Sequence, residues 1–301
     1  MLSWQMNRTL DDLVGRIERA TVLDRSADWT ATALGKPLAA SPSLRNVLSG
    51  TPNGHPAHPM LVVVPLGSWV GASYLDLTGG RAGRAAATKL VALGIAGAVP
   101  AALAGASDWT YTQGAERRVG FVHALGNTLA LGIYTGSWLA RRRQRHALGA
   151  ALAGVGALAI SVTGWLGGHL SYARGVGVDT TAFDGASSEW VDVLPEADLV
   201  DEQPTLVHDG KVPVLLVRTG GQLYAIADRC THRGGPLHEG EFADGCIVCP
   251  LHQSKFRVSD GQLLTGPATR SQQAYEVRTR YGSIQLRHVD EPGYLRTTPV
   301  S

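Results

Sequence analysis

Three cysteines in 301 residues are too few for a disulfide framework, and Cys230, Cys246 and Cys249 all fall within twenty residues of one another. Such a cluster points to ligands rather than to stapled loops. Charged residues are scarce, at 17% of the chain. Residues 1–54 carry six Lys/Arg against five Asp/Glu, 55–171 nine against three, and 172–301 twelve against seventeen. This is a basic apolar segment joined to an acidic domain, not the basic field of a nucleic-acid binder, so no nucleic-acid partner is expected. The opening MLSWQMNRTLDD has neither the positive start and apolar core of a secretory signal nor a twin arginine, so entry into a membrane is expected to be directed by internal helices. There is no Ser/His/Asp nucleophile set, and GRAGRAAATK lacks the order of a phosphate-binding loop.

What the chain does have is a division. An apolar stretch from about Met60 to Gly168 gives way to an ordinary polar one from about Ser171. Ahead of both, Leu10, Leu13, Val14 and Ile17 recur at helical spacing among Asp11, Asp12, Arg16 and Glu18, predicting an amphipathic helix that packs on the rest of the protein. Four apolar segments follow, at 57–77, 85–106, 119–140 and 147–168. Each approaches the roughly 20 residues a helix needs to cross a bilayer. Small residues such as Gly94, Gly97, Ala101 and Gly105 in the second, and Gly154, Gly156, Ser161 and Gly164 in the fourth, predict close helix packing. Pro100 predicts a kink, and Trp109, Trp138 and Trp165 sit near the expected ends.

Four antiparallel spans would gather His55, His58, Asp108, His123 and His169 at one membrane face, with Asn127 on the same helical side as His123. Of these, His58, His123 and His169 are the candidates for a site that binds a b-type haem, a metal ion or a quinone. The simpler alternative is that they are interfacial or capping histidines. Membrane sidedness stays open. Arg81, Arg84, Lys89, Arg141, Arg142, Arg143 and Arg145 outnumber Arg45, Arg117, Arg118 and Arg174, which favours the histidine face outside.

After a linker at 172–189, short β-rich runs appear at Val214–Val217, Leu223–Ile226, Cys246–Val248, Tyr275–Arg278 and Ser283–Leu286, separated by Gly-rich turns. They carry the decisive string: Cys230-Thr231-His232, sixteen residues, then Cys249-Pro250-Leu251-His252. Zinc accepts two Cys and two His, but its motifs usually pair like ligands, whereas each loop here is mixed. Cys246 alternates with Val248 on a strand and reads as a core thiol, and His238, between the loops, as an exposed loop histidine.

CTHRGGPLHEG and CPLHQSKF, followed by Gly266-Pro267, resemble the two cluster-binding loops and the covering proline loop of Rieske ferredoxins over about 190–288. The resemblance implies a 2Fe-2S cluster, with Cys230 and Cys249 on the inner iron and His232 and His252 on the exposed one. Insertion of such a cluster in the cytoplasm favours the inside for the histidine face, against the charge count. Rieske subunits of cytochrome bc complexes carry an extra disulfide at positions that are Gly235 and Leu251 here, so that bridge is not expected. Ser254 keeps a hydroxyl near a cluster sulfur, whereas Phe256 replaces a tyrosine and offers none. A potential low or intermediate within the Rieske range of roughly −150 to +300 mV is implied.

GHPAHP at 54–59, Asp108-Trp109 and Gly167-Gly168-His169-Leu170 resemble an uncharacterised bacterial family of four-helix membrane proteins over about 10–178. The expected organisation is an amphipathic segment at 1–54, a four-helix transmembrane domain at 55–171, the linker at 172–189 and a Rieske domain at 190–301. In fold class this is a multidomain chain, an all-α four-helix transmembrane bundle followed by a small all-β antiparallel domain. The expected function is electron transfer in a multi-pass cell-membrane protein, between a quinone or haem in the bilayer and a redox protein partner, as a component of an oxidoreductase system. A ferredoxin serving a separate oxygenase and a redox or iron sensor are the alternatives. Oxygenase activity in this chain alone is not expected, because only His288 remains after His252 to build a further iron site.

Overall fold

The computed structural model describes residues 2–288, with side chains from residue 9. It divides into two compact units, Met1–Ser41 with Pro56–Val176, and Pro42–His55 with Gly177–Ser301. The first is helical: α1 (Leu2–Arg19), α2 (Asp24–Ala40), then, after α3 (Pro42–Ser49) of the second unit, α4 (Ala57–Leu61), α5 (Val63–Thr78), α6 (Gly80–Thr110), α7 (Gly114–Arg142) and α8 (His146–Gly168). Small residues let the long helices close on aromatic side chains. Trp69 of α5 stacks on Tyr134 of α7 at 3.9 Å between ring centroids. A Cβ at Gly94 of α6 would lie 2.2 Å from the Trp69 ring nitrogen, so only glycine fits there. Pro100 lies inside α6, which runs on through it.

All four apolar segments expected from the sequence are helical. Among the described residues three helical stretches, Ala57–Thr78, Gly80–Thr110 and His146–Ala173, are long and apolar enough to cross a membrane. The third expected span, α7, does not join them: its middle carries no charged side chain, but His123, Asn127 and several Gly and Thr residues make it less apolar than the other three. Its middle still turns apolar side chains outward: Leu129 is 65% exposed, beside Val70 at 69%, Leu77 at 87% and Leu158 at 71% on the neighbouring helices. An apolar surface on several helices is costly in water and ordinary in lipid.

The amphipathic α1 packs as its pattern predicts, with Val14 buried against Val119 and Leu166. Polar contacts fix its end. Glu18 pairs with Arg174, and its Oε1 lies 3.0 Å from Nε2 of His169. Hydrogen bonding from Arg174 is the largest influence holding the Glu18 carboxyl below its ordinary 4.5. A carboxylate lowered on folding stabilises the fold above its unfolded pKa and loses that contribution as pH falls through the folded value. The docking of α1 is therefore expected to weaken as pH drops below about 4.5, and Glu18→Gln to flatten that dependence. Hydrogen exchange of the α1 amides against pH measures it; an identical profile in the variant would contradict the assignment.

The second unit is an antiparallel β domain. Its strands are β1 (Val191–Pro195), β2 (Thr205–Asp209), β3 (Val212–Thr219), β4 (Gln222–Ala227), β5 (Glu241–Ala243), β6 (Cys246–Val248), β7 (Lys255–Arg257), β8 (Leu263–Thr265), β9 (Ala274–Arg280) and β10 (Ser283–His288). They form a six-stranded sheet, in the order β1-β10-β9-β4-β3-β2, and a four-stranded sheet β5-β6-β7-β8. Alternation along β3 divides the core. Leu215 and Val217 join Ile247, Phe256, Cys230 and Cys249, whereas Val214 and Leu216 join Leu199, Ile284 and Leu286. Both faces of β3 are buried, which is why its sequence is a continuous apolar run. Five expected strands fall inside β3, β4, β6, β9 and β10. Residues 42–54, grouped by sequence with the N-terminal segment, and His55, grouped with the transmembrane helices, belong structurally to this unit.

Candidate metal centre

Two loops of the β unit bring the chemistry together. The first leaves β4 and the second joins β6 to β7. Each is anchored at its cysteine: Cys230 N–H donates to the Gly235 carbonyl at 2.9 Å, and Cys249 N–H to the Ser254 carbonyl at 2.8 Å. Gly234 (φ 69°) and Gln253 (φ 66°) supply the left-handed backbone that turns each loop back on itself. Cys230 and Cys249 are 1% and 2% exposed and hydrogen-bonded to each other. The imidazoles of His232 and His252 meet edge to face, with centroids 4.9 Å apart. All four residues singled out by the motif thus converge, sulfur with sulfur and imidazole with imidazole.

The backbone prepares these groups for a cation. Amides of His232 and Arg233 donate to the Cys230 sulfur, and those of Leu251 and His252 to the Cys249 sulfur. The shared hydrogen bond from Cys230 brings the Cys249 thiol down to about 6, and the same bond, with burial, pushes Cys230 well above the thiol range. Burial, followed by the charges of His252 and Arg233, lowers His232 to about 3; burial and Arg233 lower His252 to about 4. Both rings are neutral at pH 7, the form in which an imidazole binds a metal.

The donor set fits a two-iron group. Each loop supplies one thiol and one imidazole, unlike the paired like ligands usual in structural zinc motifs. Two thiols side by side and two imidazoles side by side match a [2Fe-2S] centre in which one iron takes the sulfurs and the other the nitrogens. The cradle leaves little slack: a Cβ at Gly235 would lie 2.9 Å from the Cys249 sulfur and 3.0 Å from Leu251.

Surrounding residues refine the expected picture. Ser254 is fully buried, and its Oγ accepts the Ala268 N–H at 2.9 Å, leaving its own proton available as a donor. Phe256 is a fully buried core residue. Cys246 is buried on β6, opposite Arg257 in the ladder. His238 differs from the expected exposed loop histidine. It is pinned to the buried Asp228, with its N–H 2.7 Å from Oδ1 and its Nδ1 2.8 Å from Oδ2. Asp228 precedes Cys230 by two residues, so its carboxylate ties both ends of the first loop.

The proline loop has a clamp that no local sequence signal announces. Gly266 N–H donates to Oδ1 of Asn46 at 2.9 Å, and the Thr51 hydroxyl donates to the Ala268 carbonyl at 2.8 Å. Two hydrogen bonds of about 0.5–1.5 kcal/mol each therefore come from 42–55. Asn46→Ala combined with Thr51→Val is expected to leave the initial iron content unchanged and to speed loss of the visible chromophore several-fold under a chelator. An unchanged decay rate would mean that the clamp is idle.

Comparison with known proteins places both halves. Residues 189–276 match the Rieske [2Fe-2S] domain, and 54–180 match a predicted membrane protein domain, DUF2231. The 3-phenylpropionate/cinnamic acid dioxygenase ferredoxin subunit of Escherichia coli (strain K12) is 38% identical over 91 residues, covering 30% of this chain and 85% of that protein. The anthranilate 1,2-dioxygenase ferredoxin subunit of Burkholderia cepacia is 29% identical over 99 residues, covering 33% and 92%. Among solved structures, the ferredoxin of carbazole 1,9a-dioxygenase from Nocardioides aromaticivorans IC177 is 30% identical over 34% of this chain and 100% of its own, with a TM-score of 0.32. With most of a ferredoxin subunit matched and both cysteine–histidine loops in place, the chain belongs to the Rieske [2Fe-2S] family and carries a DUF2231 domain ahead of its Rieske domain.

Proposed function

We propose that this chain is a multi-pass, membrane-anchored electron-transfer Rieske protein that exchanges single electrons between a redox partner in the bilayer, a quinone or a haem, and a second carrier. Cys230 and Cys249 hold one iron and His232 and His252 the other. The observation that carries this reading is the convergence of two buried thiols and two half-buried imidazoles from two loops of one β unit. A [2Fe-2S] group supplies a one-electron couple there.

The chain's own residues do the rest. Amides of His232, Arg233, Leu251 and His252 stabilise negative charge on the sulfurs, and the Ser254 hydroxyl keeps a proton to offer. Leu251, 54% exposed beside His252, gives a partner an apolar contact next to the outermost ligand. The outward apolar side chains of α5–α8 supply the anchor. A ferredoxin serving a separate oxygenase is the second reading, favoured by relatives that are dioxygenase ferredoxin subunits.

Membranes carrying the full chain distinguish the two. A short-chain quinol is expected to produce the reduced-cluster electron paramagnetic resonance signal without added reductase. A cluster reduced by a soluble NADH-dependent ferredoxin reductase, and left oxidised by the quinol, would instead support the oxygenase-serving reading.

A further inference from the structure

His58 lies on α4 and His123 on α7, far apart in sequence, yet their ring centroids are 6.5 Å apart with the planes at 81°. Each ring is oriented by a different helix. Nδ1 of His58 lies 2.8 Å from the Ala101 carbonyl of α6, and Nδ1 of His123 lies 2.7 Å from the Thr163 carbonyl of α8. A carbonyl oxygen only accepts, so both Nδ1 atoms carry the proton and both Nε2 atoms present a lone pair. Histidines held through Nδ1–H by a backbone carbonyl are in the tautomer that ligates metals through Nε2. Gly105 gives the first ring its seat: a Cβ there would lie 2.7 Å from Nδ1 of His58.

Asn127 reports the same tautomer. The Thr163 hydroxyl donates to its Oδ1 at 2.9 Å, which turns its amide nitrogen toward Nε2 of His123 at 3.1 Å. Ligation at that Nε2 would exchange one N–H···N contact, while Asn127 keeps its bond to the His123 carbonyl at 2.9 Å. The third histidine expected in this site, His169, is engaged elsewhere, with Nε2 on Glu18 and the ring stacked on Trp165.

Two imidazoles alone are a poor site for a bare ion, since zinc takes three or four protein ligands. No such larger group occurs among the described residues. Two imidazoles do suffice for an iron that brings its own four equatorial nitrogens. With metal–nitrogen bonds of about 2.0 Å, imidazoles on opposite sides of one metal have centroids about 6 Å apart, and a bent tetrahedral pair about 5 Å. The observed 6.5 Å is nearer the opposed spacing than the bent one.

We propose that His58 and His123 are the axial ligands of a b-type haem within the helical unit. The proposal deepens the bilayer-partner part of the function above and rests on it for its redox purpose, but haem and cluster are read by separate signals. The test uses the full chain purified from haem-replete cells in mild detergent. A pyridine haemochrome assay is expected to give about one haem b per chain, and the ferric protein a low-spin, six-coordinate spectrum. His58→Ala and His123→Ala are each expected to lose the haem or convert it to a high-spin form, whereas His123→Met retains it with altered axial-ligand signatures. His169→Ala should leave the haem spectrum unchanged, and the reduced-cluster signal should persist in every variant. Wild-type protein with a full cluster signal and no haem would overturn the proposal, including the case in which extraction yields a bound quinone instead. A high-spin wild-type haem, or low-spin haem retained in both alanine variants, would overturn it too. Loss of the cluster signal in wild-type protein that retains haem would fall on the proposed function and not on this site.

Discussion

Cys249→Ser is expected to leave a folded chain without the reduced-cluster resonance, while Cys246→Ser, only three residues away, keeps it. All three cysteines are buried and none is in a disulfide, so burial alone does not separate them. Surroundings do. Cys249 shares a hydrogen bond with Cys230 and receives the amides of Leu251 and His252, whereas Cys246 sits in the β6 ladder opposite Arg257. A serine hydroxyl at 249 stays protonated and hard where soft iron–sulfur chemistry needs a thiolate. Gly235→Ala is expected to act in the same direction by sterics, since its Cβ would press within 2.9 Å of the Cys249 sulfur. Overpacking typically costs about 1–3 kcal/mol, and here the strain falls on a proposed ligand, so cluster occupancy should drop more than domain stability. Iron and acid-labile sulfide assays beside the resonance spectrum check all three variants. Full occupancy in Cys249→Ser would remove Cys249 from the ligand set.

Arg141→Ala is expected to be the most destabilising single change in the helical unit. Its side chain is wholly buried and forks onto both oxygens of Asp76, Nη1 to Oδ1 at 2.7 Å and Nη2 to Oδ2. Its Nε also reaches the Ser137 hydroxyl at 3.2 Å, which donates to the Gly149 carbonyl at 2.6 Å. One network thereby joins α5, α7 and α8. Removing one partner of a buried pair strands the other charge and costs about 3–5 kcal/mol, whereas replacing both with apolar groups of similar size is often neutral. Arg141→Met with Asp76→Leu should therefore recover most of the loss. Thermal aggregation midpoints in detergent give the comparison. A double variant as unstable as Arg141→Ala would mean that the network, not the stranded carboxylate, sets the cost.

The two cysteine–histidine loops were legible because their pairs are local: each cysteine lies two or three residues from its histidine, and backbone turns of that length impose proximity. The β strands were legible through alternation, and the long helices through apolar length. Partner choice was less so. Topology gathered His58, His123 and His169 at one depth, but depth says nothing of side-chain direction, and Glu18 draws His169 away. The lone acid among α5's apolar residues, Asp76, gave no sign that it neutralises Arg141, which charge counting had treated as a membrane-face cation. Arg117, Arg118 and Arg174 on the opposing side of that count are likewise paired, with Asp28, Asp24 and Glu18. His238 looked like a loop residue because its partner Asp228 lies ten positions back, beyond any local pattern.

The clamp on the proline loop spans 217 and 220 residues of chain. Asn46 and Thr51 leave the ribosome before any of the long helices, and Gly266 and Ala268 only after all of them. At about 5–20 residues per second, roughly ten to forty-five seconds separate the two halves of that contact. The cover over the two cysteine–histidine loops thus stays incomplete until the chain has been made through Ala268, which gives the cell an interval in which iron and sulfide can be delivered before the site closes. An expression fragment beginning at the linker would never close it: such a domain keeps Cys230, His232, Cys249 and His252 and lacks its latch.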